Sequence, residues 1–409
     1  MDFERKEGDF NRIHRIRKIY VAIAIILLNT LVFILLMNLF FSIANPTLRK
    51  LFVFSESSFN KEILDEAYPH ISSKEVRKEI IKENDKYHLP FVYDTFTGFR
   101  TKEHHGTFVN VDNEGFRYIK DQCEYPIRKS NYNIFILGGS TAFGSGIIDN
   151  ETIASIMQEN LRRELKRNDI CVYNFARPHY YSSVERTLFI KLLVEKKQTP
   201  DTVIFIDGLN DHIGDKYPYE DKFADYAEGN KKIGYLFSGT ASAIVINHLY
   251  NRFVKNNGLE DSYEKNASRI VERYLHNLKV SRSVGSSFNV TTHFVIQPIP
   301  VYNYPCESHL LCKRDLIDFS LPKWEKSIEY YTMLSSSKER KEGDIIWLAD
   351  MQKGRKDNLY VDYGHYTAKF SEEIADELIK EIKGKIPIEP KTLRSDQYIS
   401  RDVAFDNMS

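Results

Sequence analysis

At 409 residues the chain is too long for one minimal domain, and it fits a sizeable α/β domain with an anchor and appendages. Lys+Arg and Asp+Glu both number 57, so no global basic field exists to hold a polyanion, which argues against a nucleic-acid partner; 28% charged and 13% aromatic residues argue against a disordered chain. Four cysteines, none in a CxxC pair, are too few for a disulfide scaffold and do not read as a zinc ribbon.

The first element is the uncharged run Ile19 to Ala44. A spanning helix needs roughly 20 apolar residues, and this run supplies them. Ser42-Ile43-Ala44 resembles a signal-peptide cleavage site, but the run far exceeds the roughly 7–15 residues of a signal core. The expectation is an uncleaved transmembrane helix over 19–44. Arg5, Lys6, Arg12, Arg15, Arg17 and Lys18 precede it, and only Arg49 and Lys50 follow it closely. That asymmetry predicts a single-pass protein of the cell (inner) membrane, with residues 1–18 cytoplasmic and the remainder outside.

Residues 45–130 carry no strong period and read as a stalk or an N-terminal extension on the main domain. From about 131 to 385 the pattern alternates strand and helix. Strands are expected at 134–137, 170–173, 202–206, 293–296 (stopped by Pro298) and 345–348, as short continuous apolar runs of the kind buried on both faces. Helices are expected from Asp149 or Asn150 to about Lys166, over 184–196 behind a Ser182/Glu185 capping box, and over 368–383 with Gly384 as its stop. This predicts a doubly wound, flavodoxin-like α/β fold: a five-stranded parallel sheet with helices on both faces. The connection over about 215–290 is long, with helical stretches at 241–253 and 266–280, and reads as a helical insertion or lid. Residues 386–409 form a tail. Cys306 and Cys312 suit either a small disulfide loop or two free thiols.

In such sheets a site forms at the carboxyl ends of the strands, which selects Gly138 to Thr141, Asn174 to His179 and Asp207 to Asp211. Ser140, after two glycines in a strand-to-helix turn, can expose its hydroxyl among backbone N–H groups; taken alone it also suits a helix cap or a phosphate-binding turn. The Asn210 amide can donate to an oxyanion, or simply stabilise a turn. In Asp362-Tyr363-Gly364-His365, one segment carries a base and the carboxylate that would orient it, or else a surface pair before the last helix.

Taken together, Ile136-Leu137-Gly138-Gly139-Ser140-Thr141 with Phe143-Gly144-Ser145-Gly146, then Gly208-Leu209-Asn210-Asp211, then Tyr360 to Thr367, resemble the ordered blocks of the SGNH/GDSL hydrolase superfamily, over about residues 130–385. The segment Gly106 to Arg117 resembles one that precedes the domain in membrane-anchored bacterial members. The second block departs: Asn174-Phe175-Ala176-Arg177-Pro178-His179 has Ala176 and His179 where that family has glycines. If the second position requires a positive φ, His179 carries strain.

The resemblance implies a Ser140–His365–Asp362 triad acting on ester bonds. It also implies an oxyanion hole from the Ser140 N–H, the Asn210 amide and the His179 N–H, substrate contacts at Gly139, Thr141 and Gly208, and no metal or organic cofactor. The expected substrate is an acylated small molecule or carbohydrate, such as a cell-surface polysaccharide. Alternatives are an O-acyltransferase with the same triad, or a non-catalytic glycan-assembly or glycan-binding protein on the same fold.

Overall fold

The computed structural model describes residues 14–33, 35–36, 61–84, 91–195, 199–211, 267–320 and 322–390. Helix α1, His14–Phe33, has 20 residues and a mean hydropathy of 1.9. At 1.5 Å per residue it is about 30 Å long, the thickness of a bilayer core. It starts before the expected Ile19, and its first turns carry Arg15, Arg17 and Lys18.

Helices α2 (Lys61–Ala67) and α3 (Lys74–Glu83) follow, then the hairpin β1 (Phe91–Asp94) and β2 (Gly98–Thr101). The short strands β3 (His104–His105) and β4 (Asn110–Val111) pair antiparallel. The described part of the expected stalk or extension is therefore a packed extension. It shares one compact unit with the sheet domain. Its Arg117 bridges Asn174, the Arg117 N–H donating to the Asn174 carbonyl at 2.9 Å. That contact covers part of an outer strand that would otherwise present bare backbone groups.

The central sheet contains β5 (Tyr132–Gly138), β6 (Ile170–Asn174), β7 (Thr202–Asp207), β8 (Thr291–Ile296) and β9 (Ile346–Trp347) in the order β6-β5-β7-β8-β9, all parallel. This is the expected flavodoxin-like doubly wound sheet. Successive β5 side chains leave opposite faces. Ile134 and Ile136 enter the core shared with α5 (Ile153–Leu165) and the last helix, α9 (Ala368–Ile382). Phe135 and Leu137 enter the core shared with α6 (Ser182–Glu195), α7 (Ala267–Ser287) and α8 (Pro322–Ser335). Burial on both faces is why these strands read as continuous apolar runs.

Several local expectations fail for identifiable reasons. Thr152, not Asp149 or Asn150, caps α5, its hydroxyl accepting from Ser155 N. Asp149 instead receives Arg117 and Asn110. Ser182 is no cap: it lies inside α6, and its hydroxyl donates to Asp211 at 2.5 Å. Glu185, the other half of the expected box, is 1% exposed and buried beneath the sheet's carboxyl end. Gly384 does not stop α9; a 3-10 turn, Lys383–Lys385, continues it. Strand β9 keeps only two of its four expected residues.

The expected helix at 266–280 runs to Ser287 and packs on α6, α8 and β8, so it is the crossover helix between β7 and β8 rather than part of an inserted lid. The remainder of that expected insertion, including 241–253, lies outside the described residues, as do 1–13, 37–44 and the tail beyond 390. The cysteines form two disulfides, Cys306–Cys312 and Cys123–Cys171. The second ties the extension to β6 and had no local spacing to announce it.

Candidate active site

Strand β5 ends at Gly138, and α4 (Ser140–Phe143) starts two residues later with Gly139 as its N-cap. The turn admits no side chain at Gly139: a Cβ there would sit 2.5 Å from the Asn210 amide nitrogen and 3.1 Å from the Tyr180 carbonyl. The same crowding brings Asn210 against the serine turn. The chain after α4 then reaches the C-terminal segment. Gly146, at φ +89°, lies so close to Val361 that a Cβ would approach its Cγ2 to 2.5 Å. Residues 144–146 thus bind the serine turn to the Asp-x-x-His segment, 225 residues away in sequence from Ser140 to His365.

There, Ser140 Oγ lies 2.8 Å from His365 Nε2, and His365 Nδ1 lies 2.6 Å from Asp362 Oδ2. Asp362 Oδ1 accepts the N–H groups of Gly364 and His365, each at 2.9 Å. Burial pushes the Asp362 carboxyl upward, but the His365 charge and hydrogen bond, with those two N–H groups, hold it below its ordinary value. An ionised carboxylate on Nδ1 leaves Nε2 as the acceptor facing the serine hydroxyl, the arrangement a general base requires. Among the described residues no group of His, Cys, Asp and Glu is arranged to hold a metal ion.

No family model and no curated protein matches the chain. Solved structures do resemble it: a psychrotrophic esterase EstA from a Pseudoalteromonas species (15% identity, TM-score 0.35, covering 62% of this chain and 98% of that one); an acetyl xylan esterase, AlAXEase (13% identity, TM-score 0.35, 61% and 99%); and a member of the lipolytic protein G-D-S-L family from Veillonella parvula (8% identity, TM-score 0.35, 62% and 99%).

The other expected site residues divide. Asn210 Nδ2 donates to the Tyr180 carbonyl at 2.8 Å, which fixes the amide beside Gly139. His179, next to Tyr180, adopts φ +67°, the left-handed conformation that a glycine would hold without strain. Its ring meets Phe91 edge-on at 5.7 Å. Thr141 and Gly208 do not present side-chain positions to a substrate. The Thr141 hydroxyl, in a residue 3% exposed, donates to Gln297 Oε1 at 2.5 Å. The Cβ direction of Gly208 is filled by the Tyr331 hydroxyl.

Supporting residues escaped the sequence reading. Arg117 is fully buried and donates to Asp149 at 2.9 Å, to the carbonyls of Phe143 (3.1 Å) and Ile147 (2.7 Å), and to that of Gly144. It therefore holds the turn that follows the serine helix. The motif containing Arg117 was visible in the sequence, but its target was not. Beneath Asp362 lies His309, whose Nδ1 accepts from Leu311 N (3.2 Å) and Cys312 N (3.3 Å). Burial pushes its imidazole down to about 4, so it is neutral. In the sequence this loop offered only Cys306 and Cys312, which suited a disulfide or two free thiols alike; the structure joins them.

Proposed function

We propose that this chain is a membrane-anchored serine esterase or deacetylase acting outside the cytoplasm on acyl esters of carbohydrate. The observation that carries the reading is the continuous path Ser140 Oγ–His365 Nε2 (2.8 Å) and His365 Nδ1–Asp362 Oδ2 (2.6 Å). In the mechanism, Ser140 Oγ attacks the ester carbonyl as its proton passes to His365 Nε2. Asp362 keeps the imidazole in the Nδ1–H tautomer and stabilises the imidazolium. The tetrahedral oxyanion is held by the Ser140 N–H, the Asn210 amide and the His179 N–H. His365 then protonates the leaving alcohol, and an activated water releases the acyl group by the same steps in reverse.

The location rests on separate support. Helix α1 is apolar and long enough to span, with basic residues clustered before and within its first turns. Two disulfides suit an oxidising compartment. The carbohydrate substrate rests on that compartment and on the resemblance of the sequence blocks. The test is hydrolysis of a simple acyl ester by the purified full chain. Wild type should turn it over, and Ser140→Ala should lower kcat by about 10⁴-fold or more. Turnover that survives Ser140→Ala would remove the assignment.

A further inference from the structure

A tyrosine stands at the tip of the turn between the two C-terminal members of the relay. Asp362 Oδ1 accepts the N–H groups of Gly364 and His365, and this closes the turn on itself. Val361 (3% exposed) and His365 (8%) are drawn inward by it, while the residue between Asp362 and Gly364 is left at the surface. Turn tips are ordinarily occupied by Gly, Asn, Asp or Ser. Here the position carries Tyr363, 43% exposed. Nearby Tyr360 and Tyr366 are buried at 0% and 2%. The Tyr363 ring meets the His365 imidazole at 5.4 Å between centroids and 64° between planes.

Chemistry fixes which half of an ester such a ring would meet. The imidazole that hands its proton to the leaving oxygen must lie against the alcohol portion, whereas the acyl portion lies towards the oxyanion donors beside Gly139 and Asn210. A group packed on His365 and open to solvent therefore borders the alcohol. An aromatic face offers little to a short open-chain alcohol. It offers a broad apolar contact to the C–H face of a ring.

We propose that Tyr363 is the alcohol-side specificity residue of this site, a platform for the pyranose ring of an O-acylated sugar. The inference rests on the esterase reading above and goes further by assigning the side chain that selects the alcohol. Tyr363 contributes to substrate choice through binding and takes no part in proton transfer.

The test compares two acetate esters, triacetin with its open-chain alcohol and a peracetylated methyl glucoside, with wild type, Tyr363→Ala and Tyr363→Phe. The wild-type preference for the glucoside, as a ratio of kcat/KM values, should fall about tenfold in Tyr363→Ala, through KM more than kcat, and return in Tyr363→Phe. Equal losses on both esters, or an unchanged ratio, would overturn the proposal while leaving the esterase reading intact. A parallel titration uses protein carrying Ser140→Ala, so it does not depend on turnover. The glucoside should bind, and adding Tyr363→Ala should weaken that binding about tenfold. Absence of binding, or binding indifferent to Tyr363, would overturn it; absence of hydrolysis alone would count against the esterase reading instead.

Discussion

His179 shows how one side chain can stand where a hydrogen would be easier. At φ +67° its Cβ opposes the backbone, a conformation costing about 1–2 kcal/mol for a residue with a side chain. The departure at this position was legible in the sequence as a missing glycine, and the positive φ is the strain that the missing glycine implied. Two substitutions separate the backbone effect from the ring contact with Phe91, since both remove the ring. His179→Gly should be more stable than His179→Ala by about 1 kcal/mol in denaturant unfolding. At Asp362, the hydrogen bonds that hold the carboxyl ionised also fix the tautomer of His365. Asp362→Asn should keep the fold and lower kcat by on the order of 10⁴, as single-turnover kinetics would show. Thr141 and Gly208, expected as substrate contacts, turn their hydroxyl and Cβ directions into the interior. Proximity to a strand end says nothing about direction, and theirs is set by Gln297 and Tyr331, which arrive from distant parts of the chain.

At the scale of elements, strand and helix existence was legible because an unbroken apolar run marks a strand buried on both faces, as along β5, and apolar residues at steps of four mark a helix face, as along α9. Caps and crossovers were not, because tertiary partners decide them. Ser182 is drawn to Asp211 rather than to its own helix, and Asp149 to Arg117. The serine helix is only four residues long, and the turn after it is stabilised by the Arg117 guanidinium on three carbonyls and Asp149. Removing a buried charge partner leaves the other unpaired, so Arg117→Met should cost about 3–5 kcal/mol in unfolding free energy.

A second buried group lies where α6 meets the end of β7. Burial, and then the neighbouring carboxylates, push Glu185 and Asp207 well above the ordinary carboxyl range; burial also raises Asp211 against the opposing pull of Ser182. The folded state therefore holds protons that the unfolded chain releases, so stability present below the ordinary carboxyl range is lost as pH rises above it. Melting temperature should drop as pH rises above the ordinary carboxyl range, and Glu185→Gln should flatten that drop.

For the whole molecule, the alternation of strands and helices after residue 131 predicted the architecture, while the extension from residue 61 to 130 gave no period to read. Its structure is held by long-range contacts: Arg117 on Asn174, Cys123 on Cys171, and Glu83 accepting the N–H groups of Thr107, Phe108 and Val109. Ester hydrolysis at this site requires that His365 activate Ser140. The most direct measurement is peptide mapping by mass spectrometry after treating the full chain with a fluorophosphonate. A single adduct on the peptide containing Ser140, absent in His365→Ala, is the predicted result. An unmodified protein, or an adduct formed equally without His365, would contradict it.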